Sequence, residues 1–163
     1  MGVGKTTIGN NLAQALHLPH IDLDKKIEDK LQTSVSSIFE QKGEIYFRKQ
    51  EHLLLNELIT SDEAFVLSLG GGTPCYANNH LTLQRDTVES FYLKASIATL
   101  AERLENGKAH RPLLNKNSDD TLETFIAKHL FDRSYFYHQA KHIITVDNKS
   151  IPVIVNEILQ KIE

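Results

Sequence analysis

Met1-Gly2-Val3-Gly4-Lys5-Thr6-Thr7 opens the chain, and its Gly-Lys-Thr-Thr core has the pattern of a loop that wraps phosphate. Glycines let the backbone curl until several N–H groups point at one anion, and the helix that follows adds its positive N-terminal end. Lys5 can reach terminal phosphates, and the Thr6 hydroxyl is placed to hold the magnesium that travels with them. Downstream, Ile8, Leu12, Ala13, Ala15 and Leu16 recur at helical spacing until His17-Leu18-Pro19 ends the run. The full motif carries an earlier glycine, at a position upstream of Met1, and the apolar strand that leads into such a loop does not precede these residues. From this stretch alone an ordinary N-terminal helix stays open.

Working outward, 163 residues suffice for one domain, 1–163, with a proper core. Charged residues make up 24% and hydrophobic ones 40%, a globular balance that argues against disorder. A net charge of −3 disfavours nucleic acid as a partner. The single cysteine, Cys75, excludes an internal disulfide framework and suits a reducing cytoplasm. No apolar run approaches membrane-spanning length and no signal-peptide pattern is present, so the expectation is a cytoplasmic protein with no membrane partner.

Strand-like and helix-like segments alternate along the chain. Strand character appears at 20–22, 64–69, 90–93 and 142–146; helical pattern appears at 24–31, about 35–41, 44–59, 97–104 and 152–162. Residues 105–120 have loop composition, and Asp120-x-x-Glu123 signals the start of a helix reaching about 139. Alternation of this kind, with continuously apolar strands, predicts an α/β fold with a parallel sheet covered on both faces. Ligands in such folds sit at the C-terminal ends of the strands. That rule gathers Asp22, Asp24, Gly70 to Gly72 and the polar loop around Lys5.

Each of these pieces has a bland alternative. Asp22-Leu23-Asp24 can bind magnesium through water and accept a substrate hydroxyl, or Asp24 can simply cap a helix. Arg48 and Glu51, three apart on one helical face, form a fork for a carboxylate, or Arg48 makes an ordinary surface ion pair with Glu44 or Glu51. Gly70-Gly71-Gly72 directly after a buried strand makes sense where a ligand must approach the main chain. Arg111-Pro112-Leu113-Leu114 carries a cation on a long polar loop, as a kinase lid does, or is an exposed loop with scattered charge. Arg133 alone reads as solvent-facing beside Tyr135 and Tyr137. Eight histidines give no metal signature, with His138 and His142 read as structural or solvent-facing, and Cys75 has no adjacent base pattern to make it catalytic.

Together, Gly2-x-Gly4-Lys5-Thr6-Thr7, Asp22-x-Asp24, Gly43-Glu44-x-x-Phe47-Arg48-x-x-Glu51, Gly70-Gly71-Gly72, Arg111-Pro112-Leu113-Leu114 and Arg133-x-x-x-Tyr137 resemble shikimate kinase over the whole chain. The resemblance implies a three-layer P-loop kinase fold of the nucleoside-monophosphate-kinase type, with a lid at about 105–119 and substrate-binding helices at about 24–60. It implies transfer of the ATP γ-phosphoryl group to the 3-hydroxyl of shikimate by a monomeric enzyme, with ATP as co-substrate and Mg2+ as cofactor. By the same resemblance Gly2, Val3, Gly4, Lys5, Thr6 and Thr7 bind the nucleotide phosphates, and Thr6 and Asp22 hold Mg2+. Lys5, Asp24 and Arg111 are catalytic, with Asp24 taking the proton and Arg111 reaching from the lid. Asp24, Arg48, Gly70, Gly71, Gly72 and Arg133 hold the substrate, the two arginines on its carboxylate. Arg103 lies against adenine, the adenine loop falls at about 149–152, and Tyr135 stands where the family often has proline.

In the family the strand ahead of the loop lies centrally, between the strands read here at 64–69 and 90–93. The natural chain is therefore expected to carry about ten further residues before Met1, and a 163-residue form to be poorly stable and impaired in ATP binding. Two rivals fit many of the same residues. One is a kinase acting on another polyol acid such as gluconate, which Arg48, Arg133 and Gly71 disfavour; the other is a nucleotide- or shikimate-binding module that has lost catalysis.

Overall fold

A computed structural model describes residues 2–106 and 121–162; Arg111 and most of the expected lid lie outside the described residues. Helix α1 (Lys5–Leu16) starts after Gly4 and stops at His17, whose left-handed backbone turns its amide back onto the Ala13 and Gln14 carbonyls. Strand β1 (His20–Asp22) runs straight into α2 (Leu23–Leu31). Asp22, not Asp24, caps α2: its carboxylate accepts from the Asp24 and Lys25 amides, because its extended backbone puts it one turn ahead of both.

Helix α3 (Val35–Ile59) is continuous hydrogen-bonded helix except at Gly43, where φ 80 and ψ 170 break the helical path. A side chain there would strain the backbone, so the glycine sets the bend between the two apolar segments expected at 35–41 and 44–59. Beyond α3 come β2 (Val66–Ser68), a single 3-10 turn at Thr73–Cys75, and the short α4 (Asn79–Thr82). The last two are additions to the sequence-based picture, since three- and four-residue helical turns carry no periodicity. Then follow β3 (Phe91–Lys94), α5 (Ile97–Asn106), α6 (Leu122–Tyr137), β4 (His142–Thr145) and α7 (Ile151–Ile162). Helix α6 is capped by Thr121, whose hydroxyl accepts from the Thr124 amide, in place of the expected Asp120. Strand β2 is shorter than the apolar run 64–69, because pairing with the three residues of β1 sets its length.

Among the described residues all pairing is parallel: β1 pairs with β2 and β3 with β4, as two separate two-stranded sheets. Between them lies a cavity of about 510 Å3 lined by Ile8, Leu12, Val66, Leu67, Phe91 and Leu93, in the position where the resemblance puts a further strand. Helix α1 packs on β2 and α7, α7 on β4, and α2 on α3, so helices cover the strands. Two apolar clusters result. One joins Ile8 and Leu12 to Leu100, Ile126, Ile144, Val146, Ile154 and Ile158; the other joins Leu23 and Ile27 to Ile38, Phe47, Leu54 and Leu55. The first supports the phosphate-loop side and the second the helices 24–60.

Candidate active site

The loop that opens the chain has the backbone an anion needs. Gly2 and Gly4 lie at φ 66 and 92, and the first turn of α1 has neither a side-chain cap nor an acidic residue. The first turn itself therefore supplies no negative side chain at the helix's positive end. Gly9 seats α1 flush on the strands: a Cβ there would come within 2.7 Å of both His20 Nε2 and Ser68 Oγ. Ser68 Oγ lies 2.9 Å from His20 and donates to the Lys5 carbonyl at 3.4 Å, pinning the root of the loop. Val3 is buried, and its carbonyl accepts from Arg103 Nη1 at 3.0 Å. Arg103 is thus brought to the loop. Near the expected adenine loop, Lys149 pairs with Glu157 at 2.8 Å.

Thr6 Oγ1 donates to Asp22 Oδ2 at 3.2 Å, so the two residues expected to hold a cation are neighbours. A hydroxyl and a carboxylate are hard oxygen donors that suit Mg2+ directly or through water. No group of three or more His, Cys, Asp or Glu that could hold a metal occurs among the described residues. The pair therefore fits Mg2+ only in company with phosphate oxygens.

Asp24 stands between the loop and the substrate side. Burial, Glu51 and Asp22 lift its carboxyl to about 6, while Lys5 and Arg48 pull the other way. Four charged groups from three elements thus act on one half-buried acid. Gly70 fits against it: a Cβ at 70 would sit 3.2 Å from Asp24 Oδ1, 3.3 Å from Thr73 Oγ1 and 3.4 Å from Glu51 Oε1.

Arg48 is fixed on every side. Its Nη1 donates to Glu51 Oε2 at 2.9 Å and its Nε to Glu44 Oε1 at 3.3 Å. The Tyr76 ring lies under the guanidinium at 4.4 Å and Phe47 at 5.3 Å. Tyr76 also donates to Glu44 at 2.9 Å. Burial works against the Arg48 charge, but Glu51 and Glu44 outweigh it and hold the proton more tightly than usual. Gly72 touches the guanidinium so closely that a Cβ there would overlap it. Glu51 has no exposed surface, so the Arg48–Glu51 pair is buried, while the Glu44–Arg48 pair keeps Glu44 half exposed.

Arg133 is half-buried and reaches this wall from α6. It acts on Cys75, Tyr76 and Tyr137, whose hydroxyl burial raises above its usual value against the pull of Arg133. Tyr137 donates to the Gly71 carbonyl at 2.7 Å, which leaves the Gly71 amide as that residue's group for a ligand. Cys75 lies in the same wall, 4.0 Å from the Gly71 carbonyl, with its thiol pushed up by burial. His142 pairs with Glu89 at 3.0 Å and His138 bonds the Ser134 carbonyl at 2.8 Å, both structural as expected.

Lys5, Thr6, Asp22, Asp24, Arg48, Gly70, Gly71, Gly72 and Arg133 are thus brought into one region. Glu51, read from sequence as the partner of Arg48, and Tyr137, part of the Arg133-x-x-x-Tyr137 motif, join them, as do Thr73 and Tyr76, which had no role assigned from sequence. Tyr137 lies four residues after Arg133 on one helical face, which is why the motif brings both to this wall. Tyr76 and Thr73 follow the glycines in an irregular turn and give no signal.

A family model described as shikimate kinase matches residues 1–163. A shikimate kinase of Flavobacterium johnsoniae is 53% identical over 159 residues, 98% of this chain and 92% of the relative. A solved shikimate kinase from Bacteroides thetaiotaomicron superposes with a TM-score of 0.88 at 33% identity, covering 99% of this chain and 93% of that one. A shikimate kinase from Acinetobacter baumannii, solved in complex with shikimate, superposes with a TM-score of 0.86 at 32% identity, covering 99% and 88%. With loop, acid and clamp on one side of a P-loop α/β fold, this chain belongs to the shikimate kinase family, whose reaction is ATP-dependent phosphorylation of shikimate.

Proposed function

We propose that the cleft formed by the 2–7 loop, Asp24 and the Arg48–Gly72 wall carries out that reaction with the residue roles the sequence suggested. The observation that carries it is the placement of Asp24, with Lys5 acting on it from the loop and Arg48 from the clamp. Phosphoryl transfer through a loose transition state asks mainly for in-line positioning and neutralised charge. Gly2 to Thr7 receive the triphosphate through backbone amides and the Lys5 ammonium. Thr6 and Asp22 would hold Mg2+, which supplies positive charge to the phosphate oxygens when bound. Arg48 and Arg133 grip the substrate carboxylate, and the Gly71 amide meets a hydroxyl. Asp24, ionised above about pH 6, orients the 3-hydroxyl and accepts its proton late. Arg111 keeps the phosphate-facing role implied by the resemblance, and 105–119 that of the lid. A monomeric cytoplasmic enzyme fits this assignment; no described helix is long and apolar enough to cross a membrane.

Coupled ADP release with and without shikimate tests this, with gluconate as control. Shikimate-dependent release is the expected result. Turnover of gluconate alone would give the site to the polyol-acid rival, and shikimate binding without ADP release would mean a binding module.

A further inference from the structure

Glu51 is a carboxylate with no exposed surface, and both its oxygens are taken. Oε2 accepts from Arg48 Nη1 at 2.9 Å and Oε1 from the Thr73 hydroxyl at 2.6 Å. Thr73 is itself fully buried, and its carbonyl accepts from Asn79 Nδ2 at 2.9 Å. Asn79 is also fully buried, and its Oδ1 lies 2.6 Å from His52 Nδ1. Because the Asn79 amide nitrogen already serves a carbonyl, its oxygen faces His52 Nδ1, which donates to it in the tautomer protonated there. The chain of bonds leaves α3 at Glu51, crosses the turn after the glycines, and returns to α3 at the adjacent residue, His52. It closes a ring that follows the glycines, buried at Glu51, Thr73 and Asn79 and half-buried at His52.

A valine would fill the volume of Thr73 without any polar group, and burying a hydroxyl, an amide and a carboxylate is costly unless each is satisfied. The ring is satisfied, and one of its ends is the guanidinium. With Thr73 donating, one Glu51 oxygen is occupied away from Arg48, so the carboxylate holds the fork by a single bond and leaves Nη2 facing Gly72. Without that donor the buried carboxylate would turn both oxygens on Arg48 and draw the fork from the cleft.

We propose that Thr73 and Asn79 are positioning residues for the substrate's carboxylate, acting through Glu51 to aim the Arg48 fork and through the turn to keep Gly72 against it. This rests on the assignment of Arg48 to the carboxylate made above. The test is two-substrate kinetics on the full chain for Thr73→Val, Thr73→Ser and His52→Leu. Thr73→Val is expected to raise the shikimate KM about tenfold, with the ATP KM within about twofold and kcat within about threefold. Thr73→Ser restores the shikimate KM, and His52→Leu, which breaks the ring at its half-buried end, raises it about threefold. Equal rises in both KM values, a fall in kcat with the shikimate KM unmoved, or failure of serine to rescue would overturn the proposal. Should the valine variant not fold, as judged by melting and nucleotide binding, His52→Leu decides: a shikimate KM within about 1.5-fold of wild type overturns it. Arg48→Lys separates the two layers. If it leaves the shikimate KM unchanged in an active enzyme, the Arg48 assignment fails and the positioning role falls with it.

Discussion

In the roles proposed for them, the phosphate loop and the carboxylate clamp recognise anions by opposite means. At the loop Gly4, Thr6 and Thr7 are exposed, no side chain caps the helix, and backbone amides are the main instrument. At the clamp the Arg48 side chain is 14% exposed, Glu51 not at all, and Thr73 and Asn79 are sealed behind them. A triphosphate brings several charges and can be held by dipoles that need only point inward. A single carboxylate on a small polar ring carries little charge, so its recognition depends on the direction of a rigid fork. The difference teaches that the loop needs an open end and the clamp a closed one.

Asp24 is where the two meet, and replacing it gives the largest expected effect. Asp24→Asn keeps the shape and removes the base, so kcat should fall by about 10²–10⁴ while ATP affinity stays near wild type. Single-turnover rates beside a nucleotide-binding titration measure the two separately. A variant retaining more than about a tenth of wild-type turnover would show that Asp24 does not take the proton. A pair of glycine substitutions comes next. Gly72→Ala pushes a Cβ into the Arg48 guanidinium and should raise the shikimate KM by about tenfold or more, leaving the ATP KM alone. Gly4→Ala forces a side chain to φ 92 and should weaken ATP instead. If both variants move the same KM, the loop and the clamp are not independent.

The same contrast explains what was legible beforehand. The loop is one contiguous stretch with local backbone chemistry, so Gly2 to Thr7 could be read as a phosphate-loop candidate by themselves, and the motifs further along the chain weighed against the ordinary helix. Helices with long apolar stripes were equally plain, and Gly43 fell between two of them as a visible break. The clamp was legible in its charges and in the Gly70-Gly71-Gly72 run, but not in what seals it. Arg48 and Glu51 stood on one face, but sequence cannot tell an exposed ion pair from one with a carboxylate at zero exposure. That depends on Thr73, which is 22 residues from Glu51 and packs there only once the turn after β2 folds back onto α3. Asn79 and Tyr76 were invisible for the same reason: their partners are brought by tertiary packing, and their own segment has no period. The cap of α2 lies two residues before the expected one because Asp22 and Asp24 are both good caps, and only the extended backbone of Asp22 decides between them.

Asp24 also predicts how activity depends on pH. With its carboxyl near 6, the fraction able to accept a proton drops about tenfold per pH unit below that value. The acid limb of kcat/KM for shikimate should therefore bend near pH 6. A limb near pH 4, where ordinary aspartates titrate, would mean that Glu51 and burial do not act on the free enzyme as the geometry requires.

The smallest expected effect is on stability, and it runs against activity. Asp24 lies in the first turn of α2, where the helix end favours a carboxylate by about 0.3–1 kcal/mol. Burial with Glu51 and Asp22 nearby outweighs that, since its carboxyl rises from 3.8 to about 6. A raised carboxyl means the folded protein binds the proton more tightly than the unfolded chain. Its contribution is complete below pH 3.8 and is lost as pH rises through about 6, leaving the ionised acid as a constant burden above that. An asparagine amide at this position carries no such charge. The inactive Asp24→Asn variant should therefore melt a few degrees higher than wild type at pH 8, with the gap closing as pH falls towards 4. Melting curves across that range measure the gap. A gap that stays constant with pH, or favours wild type at pH 8, would show that the acid is not held against its own ionisation where the loop and the clamp converge.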